Sequence, residues 1–96
     1  MLKDKLNQEQ YFEVEERENG ILYRGFASQN MSLVDHYLSY GNFTEIEEYA
    51  DYPYRRVYVD NENKAVFTYC EGDITFKLVN DWNKELEEMD RFYSEY

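Results

Sequence analysis

The residue types that could perform catalysis are few in this 96-residue sequence. His36 is the only histidine and stands beside Asp35, and Cys70 is the only cysteine. Catalysis by a serine or cysteine nucleophile needs a positioned general base, and one histidine next to one carboxylate gives weak support for such a pair. We therefore expect that the protein is not an enzyme and that it has no catalytic residues.

Metal and cofactor sites have equally little support. One histidine and one cysteine cannot build the thiolate and imidazole sites that hold zinc. The segment Asp60–Asn63 offers oxygen ligands, but it lacks the glycine and the distal glutamate of a calcium-binding loop, so we predict a polar turn there. The sequence also lacks a glycine-rich phosphate-binding loop. We expect no metal and no cofactor.

Carboxylates are the abundant chemical group. The chain has 21 aspartates and glutamates against 10 lysines and arginines, for a formal net charge of -11 at pH 7. Binding to DNA, RNA or an anionic membrane requires lysine and arginine to displace counterions, so these polyanions are disfavoured as direct partners. The composition predicts a basic partner protein.

The carboxylates near the C-terminus are spaced to form rows on a helix. Asp81, Glu85 and Glu88 follow one another at i, i+4 and i, i+3 steps, which place the Cβ atoms of neighbours about 5–6 Å apart. Duplex DNA presents phosphates at a comparable repeat, with one charge per roughly 1.7 Å of helix axis. Such rows could occupy a basic groove made for nucleic acid, although an acidic helix face is usually only solvated.

A C-terminal helix over Asp81–Tyr96 must position these carboxylates. Its apolar residues recur at helical steps and predict a stripe that packs on a sheet. Either Asn80 or Asp81 is expected to cap its first turn. The stripe comprises Trp82, Leu86, Met89, Phe92 or Tyr93, and Tyr96.

The sheet beneath that helix is predicted from Arg55–Val79, where apolar and polar residues alternate in three runs joined by two turns. The second turn sets Phe67 opposite Phe76. The first, interpreted as a three-residue loop with Asn63 in a left-handed conformation, sets Val57 opposite Phe67. Both pairings give one apolar face, on which the C-terminal helix is expected to lie. That face comprises Val57, Val59, Ala65, Phe67, Tyr69, Ile74, Phe76 and Leu78.

A hairpin is predicted within Tyr11–Phe26. Asn19-Gly20 is a strong hairpin signal, because a type I′ turn needs positive φ at both central positions. Closing the hairpin on this pair sets Glu18 opposite Ile21 and Val14 opposite Gly25.

Three other segments complete the chain. Ser28–Tyr40 has the apolar spacing of a helix. Residues 43–52 fit either a short helix or an extended arm rich in tyrosine, and the sequence leaves both open. The polar segment Met1–Gln10 predicts disorder in at least its first few residues.

Together these elements predict a single α+β domain over residues 1–96, in the order β-β-α-(α)-β-β-β-α. An antiparallel sheet is expected, made of the N-terminal hairpin and the three-stranded meander, with two or three helices. A single cysteine forms no intramolecular disulfide and suits a reducing cytosol. No apolar run approaches the roughly 18 residues that span a bilayer. We expect a cytoplasmic monomer or small homo-oligomer.

The C-terminal segment also carries a resemblance. Trp82-Asn83 is followed by alternating acidic residues, Glu85, Glu87 and Glu88, and then by Phe92-Tyr93. This pattern resembles small phage-encoded inhibitors of type II CRISPR nucleases, the anti-CRISPR proteins of the DNA-mimic type, which are similar in size, acidity and α+β build. The N-terminal hairpin departs from their order of elements. In such inhibitors acidic side chains occupy the channel that reads the DNA duplex, where arginines otherwise contact guanines.

The resemblance implies a non-catalytic inhibitor in the cytoplasm of a bacterial host. Its expected partner is a basic nucleic-acid-binding protein, a CRISPR effector first and a restriction enzyme next. Two alternatives remain: an immunity or antitoxin protein that neutralises a basic nuclease toxin, and a structural module that self-associates through its tyrosines. The candidate partner-binding residues are Glu85, Glu87, Glu88 and Asp90 in the C-terminal helix, and Glu45, Glu47, Glu48 and Asp51 in the central segment.

Overall fold

The computed structural model describes Asp4, Leu6 and residues 11–40, 43–51 and 54–94, without the side chains of residues 36–38, 40 and 94. These residues form a six-stranded antiparallel sheet in the order β1-β2-β6-β5-β4-β3, with two long helices, so the predicted α+β class is confirmed. The strands are β1 (Glu13–Arg17), β2 (Gly20–Phe26), β3 (Thr44–Glu45), β4 (Arg55–Asp60), β5 (Ala65–Cys70) and β6 (Asp73–Val79), and the helices are α1 (Ala27–Tyr40) and α2 (Trp82–Ser94).

The sheet is covered on both faces, and each face has its own core. Tyr23, Phe67 and Phe76 pack on one face with Leu33 and Val34 of α1. The opposite face contributes three valines of β4 and β5, and these pack against Met89 of α2 with Ile46, Tyr49, Trp82 and Tyr93 around them. The prediction that α2 lies on the Phe67 and Phe76 face is therefore wrong. The valines are Val57, Val59 and Val66.

In the meander, the strand pairing predicted across the second turn is correct, and the pairing predicted across the first turn is wrong. Phe67 pairs with Phe76 across β5 and β6, as predicted. Across β4 and β5, however, Phe67 pairs with Tyr58 rather than Val57, so the expected face of β4 is inverted. The three middle residues of β4 are buried whichever face they point to, because this strand has an apolar core on both sides.

Asp60 accounts for the one-residue error in the first turn. Its buried carboxylate accepts hydrogen bonds from the backbone nitrogens of Glu62 (3.0 Å) and Asn63 (3.1 Å) and from the Asn63 Nδ2 (2.7 Å). These bonds lengthen the loop to four residues, and the left-handed position moves to Lys64, whose φ is +53°. The segment is thus a polar turn organised by an aspartate side chain.

The N-terminal hairpin forms two residues out of the predicted register. Arg17 pairs with Gly20 and Val14 with Tyr23, so Glu18 and Asn19 make the turn. Gly20 has a φ of +133°, and a Cβ built on it would stand 1.8 Å from the backbone oxygen of Leu78. The glycine is needed because β6 passes close to it, and the predicted type I′ turn was the wrong interpretation of the Asn-Gly pair.

Asn19 fixes the start of α2 to this hairpin. Its Nδ2 donates to the backbone oxygen of Asp81 (3.0 Å), and its Oδ1 accepts from the backbone nitrogen of Asp81 (2.8 Å). The backbone oxygen of Asn19 also accepts from the nitrogen of Asn80 (3.2 Å). Asn19 itself is buried. The Asn19 side chain therefore joins the β1–β2 turn to the start of α2, 62 residues later in the chain.

Replacing Asn19 by alanine should lower the free energy of unfolding by about 2 kcal/mol, because two hydrogen bonds of about 1 kcal/mol each are lost and the Asp81 groups lose their partners. Urea denaturation would measure this change. The matched control is Asn80→Ala, whose side chain is exposed, and we expect a change within about 0.5 kcal/mol there. Equal effects of the two substitutions would contradict this role of the Asn19 side chain.

Most of residues 43–51 is extended apart from one 3-10 turn, and the short-helix alternative for this segment is wrong where the structure describes it. Thr44 and Glu45 form β3 and pair with Val59 and Tyr58. The backbone nitrogen of Ile46 continues the ladder by donating to Val57 (2.9 Å), and a single 3-10 turn, Glu47–Tyr49, follows. Pairing with β4 outweighs the helical periodicity of the segment.

Within the first ten residues, the structure describes only Asp4 and Leu6, both in helical conformation. Leu6 is buried in the core on the α1 face. The disorder predicted for the rest of Met1–Gln10 lies outside the described residues. Among the residues described, no helix combines the length and apolar character needed to cross a membrane.

Candidate functional site

The helix α2 is held at its start by polar contacts. The Asp81 carboxylate accepts from the backbone nitrogen of Lys84 (3.2 Å), so Asp81, one of the two predicted caps, is the N-cap. The Trp82 indole donates to the Oδ1 of Asn61 (3.0 Å), and the Lys64 ammonium lies 5.8 Å from the centre of that ring. These contacts set which face of α2 turns to the sheet.

Glu85 does not belong to the acidic surface. It lies on the buried face of α2 with Met89, and its side chain is 5% exposed. The Lys77 ammonium of β6 donates to both of its oxygens, at 3.0 and 2.9 Å. The sequence offered one signal of this burial, since Glu85 stands between Trp82 and Met89 in the apolar stripe. Its predicted role as an accessible partner-binding residue does not fit this position.

Glu45 is neutralised in the same way. The Arg56 guanidinium donates to both of its oxygens, through Nε to Oε1 (3.0 Å) and through a terminal nitrogen to Oε2 (2.9 Å). These hydrogen bonds, aided by the charge of Arg56 and opposed by partial desolvation, hold the pKa of Glu45 below its ordinary value. The carboxylate is thus ionised and already paired within the molecule.

Tyr49 joins the two predicted acidic patches. Its hydroxyl donates to the Oδ1 of Asp90 (3.2 Å), and its ring stacks on Tyr93 with centroids 4.9 Å apart. Arg55 completes the joint, because its Nε donates to the backbone oxygen of Tyr49 (3.0 Å) and its guanidinium lies 4.8 Å from the Tyr93 ring centre. Burial first, and then the hydrogen bond and charge of Asp90, raise the pKa of Tyr49. The 3-10 turn is therefore fixed beside α2.

Exposed carboxylates flank this joint on both sides. The turn and the residues after it contribute one set, and the outer face of α2 contributes Asp90 and, one helical turn earlier, Glu87. We call this set the acidic surface. It consists of Glu47, Glu48, Asp51, Glu87 and Asp90, all exposed.

Six of the eight predicted partner-binding residues thus remain exposed. Five of them form the acidic surface, and the sixth, Glu88, lies on the opposite flank of α2. A further acidic segment was outside the predicted set. All five residues of β1 are exposed, and Glu13, Glu15 and Glu16 belong to it. β1 therefore adds negative charge at the far edge of the sheet.

The basic side chains are largely engaged by the molecule itself. Arg55 and Lys64 lie over aromatic rings. Lys84 reaches Glu18 at 3.6 Å, and Arg17 reaches Glu15 at 3.0 Å. Arg56 contacts Glu45, and Lys77 contacts Glu85. None of these ion pairs between described residues includes a residue of the acidic surface.

A cavity of about 350 Å³ lies between α2 and the sheet, on the side of α2 away from the acidic surface. Thr68, Thr75 and the Lys77–Glu85 pair form its polar part. Tyr93 closes one side of the cavity. Burial raises the pKa of its hydroxyl, whereas a hydrogen bond from Thr68 and the nearby charge of Arg55 lower that pKa. Sequence reasoning missed this cavity. Its apolar walls are Leu22, Val66, Met89 and Phe92.

Comparison with models of protein families, with curated proteins and with solved structures found no match. Among the described residues, no group of three or more histidine, cysteine, aspartate or glutamate side chains is placed to hold a metal ion. Cys70 is an exposed free thiol, and the side chain of His36 lies outside the described part of the chain. The charged surface and the cavity are therefore the two features considered for a binding function.

Proposed function

We propose that the protein is a non-catalytic inhibitor that binds the basic nucleic-acid groove of a DNA-binding protein or nuclease, with a CRISPR effector first and a restriction enzyme next. The observation that carries this proposal is the Tyr49 joint. It fixes the carboxylates of two distant segments side by side, on a 3-10 turn and a helix that are packed on the same core.

A rigid array of carboxylates suits a groove that binds phosphates. Placing the charges in advance lowers the entropy that each side chain loses on binding. Opposite potentials also steer the encounter of the two proteins, so association is fast and depends on ionic strength. The pairing of Arg56 and Lys77 with Glu45 and Glu85 supports the same function, because it leaves the negative charge of the acidic surface uncompensated by these two cations.

Reversing the charge of the acidic surface should abolish binding without unfolding the protein. The variant Glu47→Lys/Glu48→Lys/Glu87→Lys changes three exposed residues, so we expect the melting temperature to stay nearly constant. The dissociation constant for a nuclease that the protein inhibits should rise at least about a hundredfold, because three charge pairs become repulsive. Calorimetry and a DNA-cleavage assay on a panel of purified CRISPR nucleases and restriction enzymes would measure both.

A matched control changes the net charge equally at a distance from this surface. Glu13→Lys/Glu16→Lys/Asp35→Lys also replaces three exposed carboxylates, and we expect the dissociation constant to change far less. For the unmodified protein, affinity should fall steeply between about 50 and 500 mM salt as the charges are screened. Inhibition that survives reversal of the acidic surface, or affinity that is independent of salt, would overturn the proposal.

A further inference from the structure

The cavity beside α2 has a polar floor at a place where a helix-covered sheet is usually apolar. α2 sets Met89 over the valines of β4 and β5, and the neighbouring part of the sheet holds Thr68 opposite Thr75. Lys77 follows two residues later on the same face and meets Glu85. Replacing a buried ion pair by apolar residues is often neutral or stabilising, so this pair is not explained by stability alone.

The charges that line the cavity do not cancel. Lys77 and Glu85 neutralise each other at 2.9 Å, and Glu88 adds one further carboxylate at the exposed side. The lining therefore carries one net negative charge at neutral pH. A ligand with a single positive charge complements it, whereas an anion would be repelled by Glu88.

We propose that this cavity is a socket for an arginine side chain of the basic partner. The apolar walls, Leu22, Met89 and Phe92, accommodate the hydrocarbon stem of such a residue. At its end, a planar guanidinium offers five donors to the Glu88 carboxylate and the Thr75 hydroxyl, which line the same cavity. Arginine is also the charged residue most enriched among the anchors of protein interfaces.

Tyr93 connects the socket to the acidic surface. Tyr93 lines the cavity, and its ring stacks on Tyr49, whose hydroxyl contacts Asp90 of the acidic surface. A partner that covers α2 can therefore meet the acidic surface on one flank and insert an arginine on the other. The inference rests on the proposed function for its basic partner, and it adds a specific anchor to a surface that otherwise recognises charge alone.

A small probe tests the socket without any partner protein. Nα-acetyl-arginine N-methylamide should produce saturable shifts in the amide resonances of Leu22, Thr75 and Lys77 as it is titrated. The matching citrulline derivative has the same shape with a neutral urea, and it should produce no saturable shift. Equal binding of both probes, or no shift from the arginine probe up to its solubility limit, would overturn the socket and leave the acidic surface untouched.

Two substitutions sharpen the test. Glu88→Gln removes the unpaired charge of the socket and should weaken binding of the arginine probe at least about fivefold, because a charge-assisted hydrogen bond becomes a neutral one. Glu16→Gln makes the same change at an exposed residue of β1 that does not line the cavity, and it should leave probe affinity unchanged. Equal effects would place the probe elsewhere. If instead the probe binds as expected but binding to every nuclease is independent of salt, the proposed function fails and the socket stands.

Discussion

Replacing Gly20 by alanine is expected to lower the free energy of unfolding by at least about 3 kcal/mol, because two costs combine. The residue has a φ of +133°, which side chains with a Cβ rarely adopt, and the new methyl group would stand 1.8 Å from the Leu78 oxygen. Either β6 moves away or the hairpin loses its pairing. Domains of this size are stable by about 5–15 kcal/mol, so a loss of about 3 kcal/mol removes roughly a fifth to three fifths of the stability. Urea denaturation followed by far-UV circular dichroism would measure the loss.

Gly72→Ala separates the two costs. Gly72 also has a positive φ, of +91°, but a Cβ built there meets no atom within 4 Å. Only the backbone strain of about 1–2 kcal/mol should appear in this variant. If Gly20→Ala costs no more than Gly72→Ala, the close approach of β6 is not what requires glycine at position 20.

Replacing Lys77 by methionine should cost about 3 kcal/mol of unfolding free energy, because it leaves the Glu85 carboxylate buried without its partner. The size of this effect follows from the 5% exposure of the Glu85 side chain. For a chain of this length the melting temperature should fall by on the order of 15 °C. Differential scanning calorimetry at pH 7 would measure the shift.

The control for this effect is a surface ion pair with the same change of charge. Lys84 lies 3.6 Å from Glu18, whose side chain is 92% exposed, and Lys84→Met should cost at most about 1 kcal/mol. The double variant Lys77→Met/Glu85→Leu removes both buried charges and should recover most of the lost stability. A double variant as unstable as Lys77→Met alone would show that the unpaired carboxylate is not the cause.

Local patterns in the sequence predicted the elements of this fold well. The alternation of Asp73–Val79 and Ala65–Cys70 gave the correct pairing, with Phe67 opposite Phe76, because the Glu71-Gly72 turn admits few geometries. The apolar steps of α2 identified its helix and placed Trp82 and Met89 against a sheet. These features depend on residues close in sequence, where propensity and turn chemistry act directly.

One error arose from a local side-chain contact in a loop, and two arose where a contact with a distant strand decided the outcome. β4 has apolar residues on both faces, so its orientation depended wholly on the length of one loop, and the Asp60 carboxylate lengthened that loop by a residue. Gly20 was interpreted as a turn residue, although β6, far along the chain, is what requires it. Residues 44–46 follow β4 rather than their own helical spacing.

The exposure of the candidate partner-binding residues could be predicted only in part, for the same reason. Spacing alone identified Glu87, Glu88 and Asp90 as exposed on a helix, and the structure leaves them so. Spacing could not show that Lys77 and Arg56 would reach Glu85 and Glu45, since each pair joins different elements of the fold. The position and size of the cavity depend on where α2 lies across the sheet, and the spacing of apolar residues in the helix does not determine that position.

The charged strand β1 has a consequence for the behaviour of the protein at high concentration. Among the described strands, β1 has a neighbour on one side only, so its other side can template the addition of a further strand. A second molecule that docked there through its own β1 would bring Glu13, Glu15 and Glu16 against their own copies. Like charges thus oppose runaway stacking into fibrils. Because salt screens this repulsion, the protection weakens in the same ionic conditions that should release a basic partner.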